Sequence, residues 1–152
     1  MPTGVLAGTG LPRSVELWWK ASPEKDVESY IVEGNDSATG RFRQIAAVPA
    51  NAPLTAIDKE LRDGIKRFYR VKAVDRDTLE SAWSEVSEGA TKPLPPAPTD
   101  LQASAGPDGV VVKWTAPKIG DIKEFRVWKK TFLKWELLGT TTAATLTVPA
   151  EK

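Results

Sequence analysis

Three carboxylates crowd into one short stretch, Asp75, Asp77 and Glu80, at a spacing that could hand hard oxygen ligands to calcium. Calcium asks for more oxygens than three side chains bring and usually for a glycine in the loop, whereas Arg76 stands between the two aspartates. A solvated acidic hairpin accounts for the same residues, and no metal is assigned to them. The second chemically loaded stretch is Trp128-Lys129-Lys130-Thr131-Phe132-Leu133-Lys134-Trp135, where aromatic and cationic side chains interleave. Desolvated Trp beside cations dominates interface energetics, so Trp128, Lys130, Phe132 and Leu133 are candidate protein-contact residues. The competing reading puts Trp135 in a core and packs Trp128 against further sequence. A platform for single-stranded nucleic acid would need wider positive charge, and 21 Lys and Arg here face 20 Asp and Glu for a net charge of +1. Nucleic acid is therefore not an expected partner.

The chain has no cysteine and no histidine. Disulfides, thiolate catalysis and Cys-based zinc sites are excluded, and so are the usual general acid/base near neutral pH and the commonest metal ligand. No catalytic residue and no cofactor is assigned. Of 152 residues 41% are hydrophobic and 27% charged, enough for packed cores and unlike a disordered chain. The opening Met1-Pro2-Thr3-Gly4 has neither a basic n-region nor an apolar h-region, and no apolar run is long enough to span a bilayer. Membrane insertion within this segment is not expected, and an export signal, if there is one, is expected upstream.

The elements that must position these residues have a period of two. Val15, Leu17 and Trp19 point one way while Glu16, Trp18 and Lys20 point the other, and Tyr69, Val71 and Ala73 alternate with Arg70 and Lys72. Trp18 thus faces away from its own core and joins the candidate contacts. Turn clusters such as Gly34-Asn35-Asp36, Arg62-Asp63-Gly64 and Ala105-Gly106-Pro107-Asp108-Gly109 separate the runs, and no segment has a convincing helical period. Arg62-Asp63-Gly64 reads as a turn whose glycine meets a positive φ requirement.

The pattern also repeats. Pro2-Thr3-Gly4-Val5-Leu6-Ala7 returns as Pro98-Thr99-Asp100-Leu101-Gln102-Ala103, and Val15 to Trp19 as Val110 to Trp114, about 95 residues on. Asp26 to Val32 matches Asp121 to Val127, and Phe42 to Ile45 matches Trp135 to Leu138. A repeat of this length fits a whole small β-domain, so the copies read as domains in series. Between them Lys92-Pro93-Leu94-Pro95-Pro96-Ala97-Pro98 favours an extended path, a semi-rigid spacer. The expected organisation is a complete domain over 1–92, a proline-rich linker over 93–98 and a partial domain over 99–152.

These residues resemble the fibronectin type III family, particularly the tandem copies in bacterial envelope and secreted proteins. The resemblance implies an all-β, immunoglobulin-like β-sandwich with Trp19 as core tryptophan. It implies strand A near Thr3 to Ala7, B near Ser14 to Ala21, C near Ser29 to Glu33 and C′ near Phe42 to Val48. E follows near Leu54 to Asp58, F near Phe68 to Asp75 and G near Val86 to Thr91. The segment from Leu61 to Ala73 is the most specific match. One departure is that Arg67 stands where the family usually has a tyrosine after the corner leucine, here Leu61, so that corner is expected to be lost or imitated by the guanidinium. Trp83 is expected to cap the start of strand G by stacking with Arg side chains.

The second copy ends after an expected E strand at Ala144 to Val148 and lacks counterparts of F and G, its last two strands. Phe125 and Val127 are then expected on an unpaired edge, with Val110, Val112 and Trp114 losing their cover. The expectation is a longer protein cut midway; the alternative is another chain, or a further copy of this one, supplying strands by β-augmentation or domain swapping. The resemblance implies a non-catalytic protein-protein interaction or spacer module of a larger bacterial protein, periplasmic, envelope-bound or extracellular. The alternative is an accessory domain of a secreted carbohydrate-active enzyme whose catalytic domain lies elsewhere.

Overall fold

The computed structural model describes residues 1–150, which contain strands and no helix. No helix among them is long and apolar enough to cross a membrane. The chain forms two compact units, Met1–Leu94 and Pro95–Lys152.

In the first unit the strands are β1 (Thr3–Ala7), β2 (Thr9–Leu11), β3 (Val15–Lys20), β4 (Val27–Asn35), β5 (Arg43–Pro49), β6 (Thr55–Asp58), β7 (Lys66–Asp75) and β8 (Ser87–Thr91). They make one sheet in the order β1-β3-β6 and another in the order β2-β8-β7-β4-β5. Every pairing is antiparallel except β2 with β8. Alternation along β3, β4 and β7 buries Val15, Leu17, Trp19, Tyr30, Val32, Tyr69, Val71 and Ala73 between the sheets. Each large side chain so buried contributes about 1.5–3 kcal/mol. The Trp19 and Tyr30 rings meet at 5.9 Å, and the Tyr30 hydroxyl accepts a bond from the Ser22 amide.

Turn chemistry closes the strands. Asp75 Oδ1 accepts the amides of Asp77 and Leu79 at 2.9 and 2.8 Å, holding the β7–β8 connection, and Glu80 pairs with Lys72. Gly64 sits at φ +66 with Pro93 against it, 3.3 Å from where a Cβ would stand, so both conformation and space select glycine.

The second unit holds β9 (Thr99–Gly106), β10 (Gly109–Thr115), β11 (Phe125–Lys130), β12 (Trp135–Thr141) and β13 (Thr145–Pro149). The sheets are β13-β10-β9 and β11-β12, all antiparallel. The ladder of β11 with β12 shifts register between Val127 and Trp128, as that of β4 with β5 does between Val32 and Glu33. A bulge thus recurs at matched positions of the two copies. No strand among the described residues stands where β7 and β8 stand in the first unit.

Candidate functional site

The position of β7 in the first unit explains the site in the second. There β4 is paired on both sides, with β5 and with β7. Among the described residues its counterpart β11 is paired with β12 alone, and no strand lies along the far edge beside Phe125 and Val127. Below that edge the two sheets leave an apolar groove of about 950 Å³, walled by Leu101, Val110, Trp114, Phe125, Val127 and Leu138. Pro95 to Pro98 border it as well.

The loss of cover is narrower than the sequence suggests. Val110 is exposed, but Val112 and Trp114 stay buried. The reason is geometric: β10 is flanked by β9 and β13, and Phe125 sets its ring edge-on to Trp114 at 5.4 Å. The Trp114 indole N–H finds no partner, nor does that of Trp19, its match in the complete unit. This unpaired donor therefore belongs to both copies and not to the groove.

The β11–β12 hairpin gathers four of the candidate contacts. Trp128 lies opposite Leu137 and Lys130 opposite Trp135, while Phe132 and Leu133 stand at the tip. Phe132 is 101% exposed and Leu133 87%. The Lys130 ammonium lies 5.9 Å from the Trp135 ring centre. A core role for Trp135 fails, since it is 61% exposed whereas its match Phe42 is 8%. Phe42 is covered by the Arg70 guanidinium of β7 at 4.4 Å, and among the described residues no β7 counterpart covers Trp135. Trp18, on β3 of the first unit, is half-exposed and packs over Gly8.

Two polar constellations of the first unit were only half visible in the sequence. Arg70 is held between Phe42 and Trp83, 4.1 Å above the latter, with Glu33 at 2.7 Å and Lys72 also over Trp83. Trp83 thus caps β7 rather than the start of β8. Arg67 does not imitate the tyrosine corner: its guanidinium bonds carboxylates, Asp58 at 2.9 Å and Asp36 at 2.8 Å, and Tyr69 donates to the same Asp58 oxygen at 3.0 Å. Burial works against the Arg67 charge, but the bonds to Asp36 and Asp58 outweigh it and lift its pKa above the ordinary arginine value. Burial, reinforced by the Asp58 charge, raises the Tyr69 pKa. Asp58 carried a readable signal, because alternation with Ala56 turns it inward and an inward carboxylate requires a partner. Among the described residues no group of three or more His, Cys, Asp or Glu is placed to hold a metal ion.

A Fn3-like protein from Clostridium thermocellum matches 61% of this chain and 93% of its own length, at 26% identity and TM-score 0.52. The fold is that of fibronectin type III domains. The FN1–FN3 domains of chicken CNTN1 align with 97% of this chain and 56% of their own, at 15% identity and TM-score 0.54. A beta-1,2-glucanase from Parabacteroides distasonis shares the fold over 62% of this chain, at 19% identity and TM-score 0.51, but only 13% of the glucanase is covered. No protein-family model matches the sequence, and no curated protein does. The first unit holds the sheets β1-β3-β6 and β2-β8-β7-β4-β5, and the second the sheet β13-β10-β9 and the pair β11-β12.

Proposed function

We propose that this chain is a non-catalytic spacer and protein-interaction segment of a larger bacterial envelope or secreted protein, its contacts made by the second fibronectin-type unit. The observation that carries the reading is the β11–β12 hairpin, where Trp128, Trp135, Phe132 and Leu133 are exposed together beside Lys129, Lys130 and Lys134. Singly exposed apolar residues are ordinary, but a contiguous aromatic patch with flanking cations is the composition of interface centres. The first unit is the rigid support, its polar groups engaged with one another. Trp18 is a lesser contact, and 93–98 is the stiff connection between domains 1–92 and 99–152. The likeness to a bacterial Fn3-like protein supports an origin outside the cytoplasm.

A second reading, an accessory domain of a carbohydrate-active enzyme, is favoured by the fold shared with part of a glucanase. One sedimentation assay separates them. The full chain is mixed with envelope fractions and, separately, with insoluble glucan, alongside the variant Trp128→Ala/Phe132→Ala. Retention by the envelope fraction, abolished by protease treatment of that fraction and by the double substitution, is expected. Retention by glucan would transfer the chain to the accessory class, and retention by neither would leave no interaction role.

A further inference from the structure

Trp18 does not stand alone on the outer face of the sheet β1-β3-β6. It lies opposite Leu6 on one side and Thr55 on the other, while Glu16, two residues along and on the same face, lies opposite Ile57. Directly opposite residues share a face, so Leu6, Trp18 and Ile57 make one apolar strip, and all three are exposed. Two glycines let it lie flat. The Trp18 ring comes to 3.4 Å of where a Cβ on Gly8 would stand, and the Lys20 stem to 3.3 Å of the same point on Gly4. The fold does not demand this composition. In the second unit Gln102 lies opposite Lys113 in the places of Leu6 and Trp18, and Thr147 lies opposite Val111 in the place of Ile57. The same sheet is thus built there with a polar strip, and the apolar one needs a reason outside the fold.

The charges along β3 say what fits it. Glu16 precedes Trp18 and Lys20 follows it, each two residues away on the same face. Neither enters an ion pair among the described residues. An acid, an aromatic ring and a cation in that order are self-complementary. A two-fold axis lying across the strand at Trp18 sets Glu16 of one molecule against Lys20 of the other, twice, and lays Trp18 on Trp18 and Leu6 on Leu6. We infer that β1-β3-β6 of the first unit docks face to face on the same sheet of a second molecule of this chain, the facing strands antiparallel. The inference rests on the reading of Trp18 as a contact and is independent of the β11–β12 hairpin. Size sets its strength. Three strands about 4.8 Å apart, over five residues rising about 3.3 Å each, span about 10 Å by 13 Å, far less than the about 800 Å² per partner of a standard interface. Free molecules therefore associate weakly, and molecules held close together associate more.

The chain has no cysteine, so a single introduced thiol reports one position. Facing sheets lie about 10 Å apart, too far for a direct disulfide, and a bismaleimide of about that length bridges them. In the full chain at millimolar concentration Leu6→Cys is expected to link to itself, and Glu16→Cys to link to Lys20→Cys faster than to itself. Adding Trp18→Lys, the residue of the second unit, should slow the Leu6→Cys reaction about tenfold. Adding Glu16→Lys should slow it less, and Glu16→Lys with Lys20→Glu should restore it, which a damaged fold would not allow. A Leu6→Cys rate no higher than that of Gln102→Cys, a rate untouched by Trp18→Lys, or equal rates for the like and unlike pairs would overturn the inference. The change Trp128→Ala/Phe132→Ala should leave every rate as it was, and slowing by it would move the contact to the hairpin and sink this face. Loss of envelope retention with cross-linking intact fails the hairpin reading alone.

Discussion

Phe42 and Trp135 hold the same place in two copies of one pattern, yet the first is buried and the second stands in solvent. The residues do not differ enough to explain this, since tryptophan is the larger apolar group. The difference is Arg70, a side chain of β7 whose guanidinium lies over Phe42. Burial at this position is therefore a property of the neighbouring strand. The same contrast holds between β4, paired on both sides, and β11, paired on one.

The comparison can be broken most forcefully at Asp58. Asp58→Ala leaves Arg67 and the Tyr69 hydroxyl without their shared acceptor in a nearly closed site, and should cost about 3–5 kcal/mol. Thermal melting should show the first unit falling while the second is unmoved; a loss below about 1 kcal/mol would mean that Asp36 alone satisfies the arginine. Phe42→Ala comes next, at about 3 kcal/mol, the low end for removing a buried Phe. Alkaline titration sharpens the picture on a smaller scale. Because the Tyr69 pKa is raised in the folded chain, the unfolded chain ionises first, so this stabilisation is complete below the ordinary tyrosine value of 10.0 and fades as pH climbs toward the folded value. Tyr69→Phe should flatten the alkaline limb of the stability curve, and an unchanged limb would assign it to other groups. Trp135→Ala is the smallest, within about 0.5 kcal/mol, as for surface positions generally. A Trp135→Ala cost matching that of Phe42→Ala would erase the contrast between the copies.

Period-two alternation carried most of the fold into view, because each strand with one buried face must alternate and a one-residue slip would turn its core outward. Strands β3, β4, β7 and β10 were legible for that reason. Side-chain destinations were less legible. Trp135 looked like a core residue because alignment transfers a position but not the strand that covers it. Val112 and Trp114 looked uncovered because the edge-on Phe125 ring is a tertiary contact that no spacing encodes. Arg67 stood out as a departure from its family pattern, but its partners Asp36 and Asp58 lie 31 and 9 residues away along the chain, and only folding brings them to one point.

The parallel pairing of β2 with β8 has a mechanical consequence. Thr9 and Leu11 are held beside Ala90 and Thr91 near the two ends of the first unit, with the Lys92 amide bonded to the Leu11 carbonyl at 2.8 Å. Tension drawing the first strand one way and the last the other would slide these strands past each other. The bonds between them would then be loaded together instead of opening one by one, which is how a thin seam can hold a link in a chain under pull.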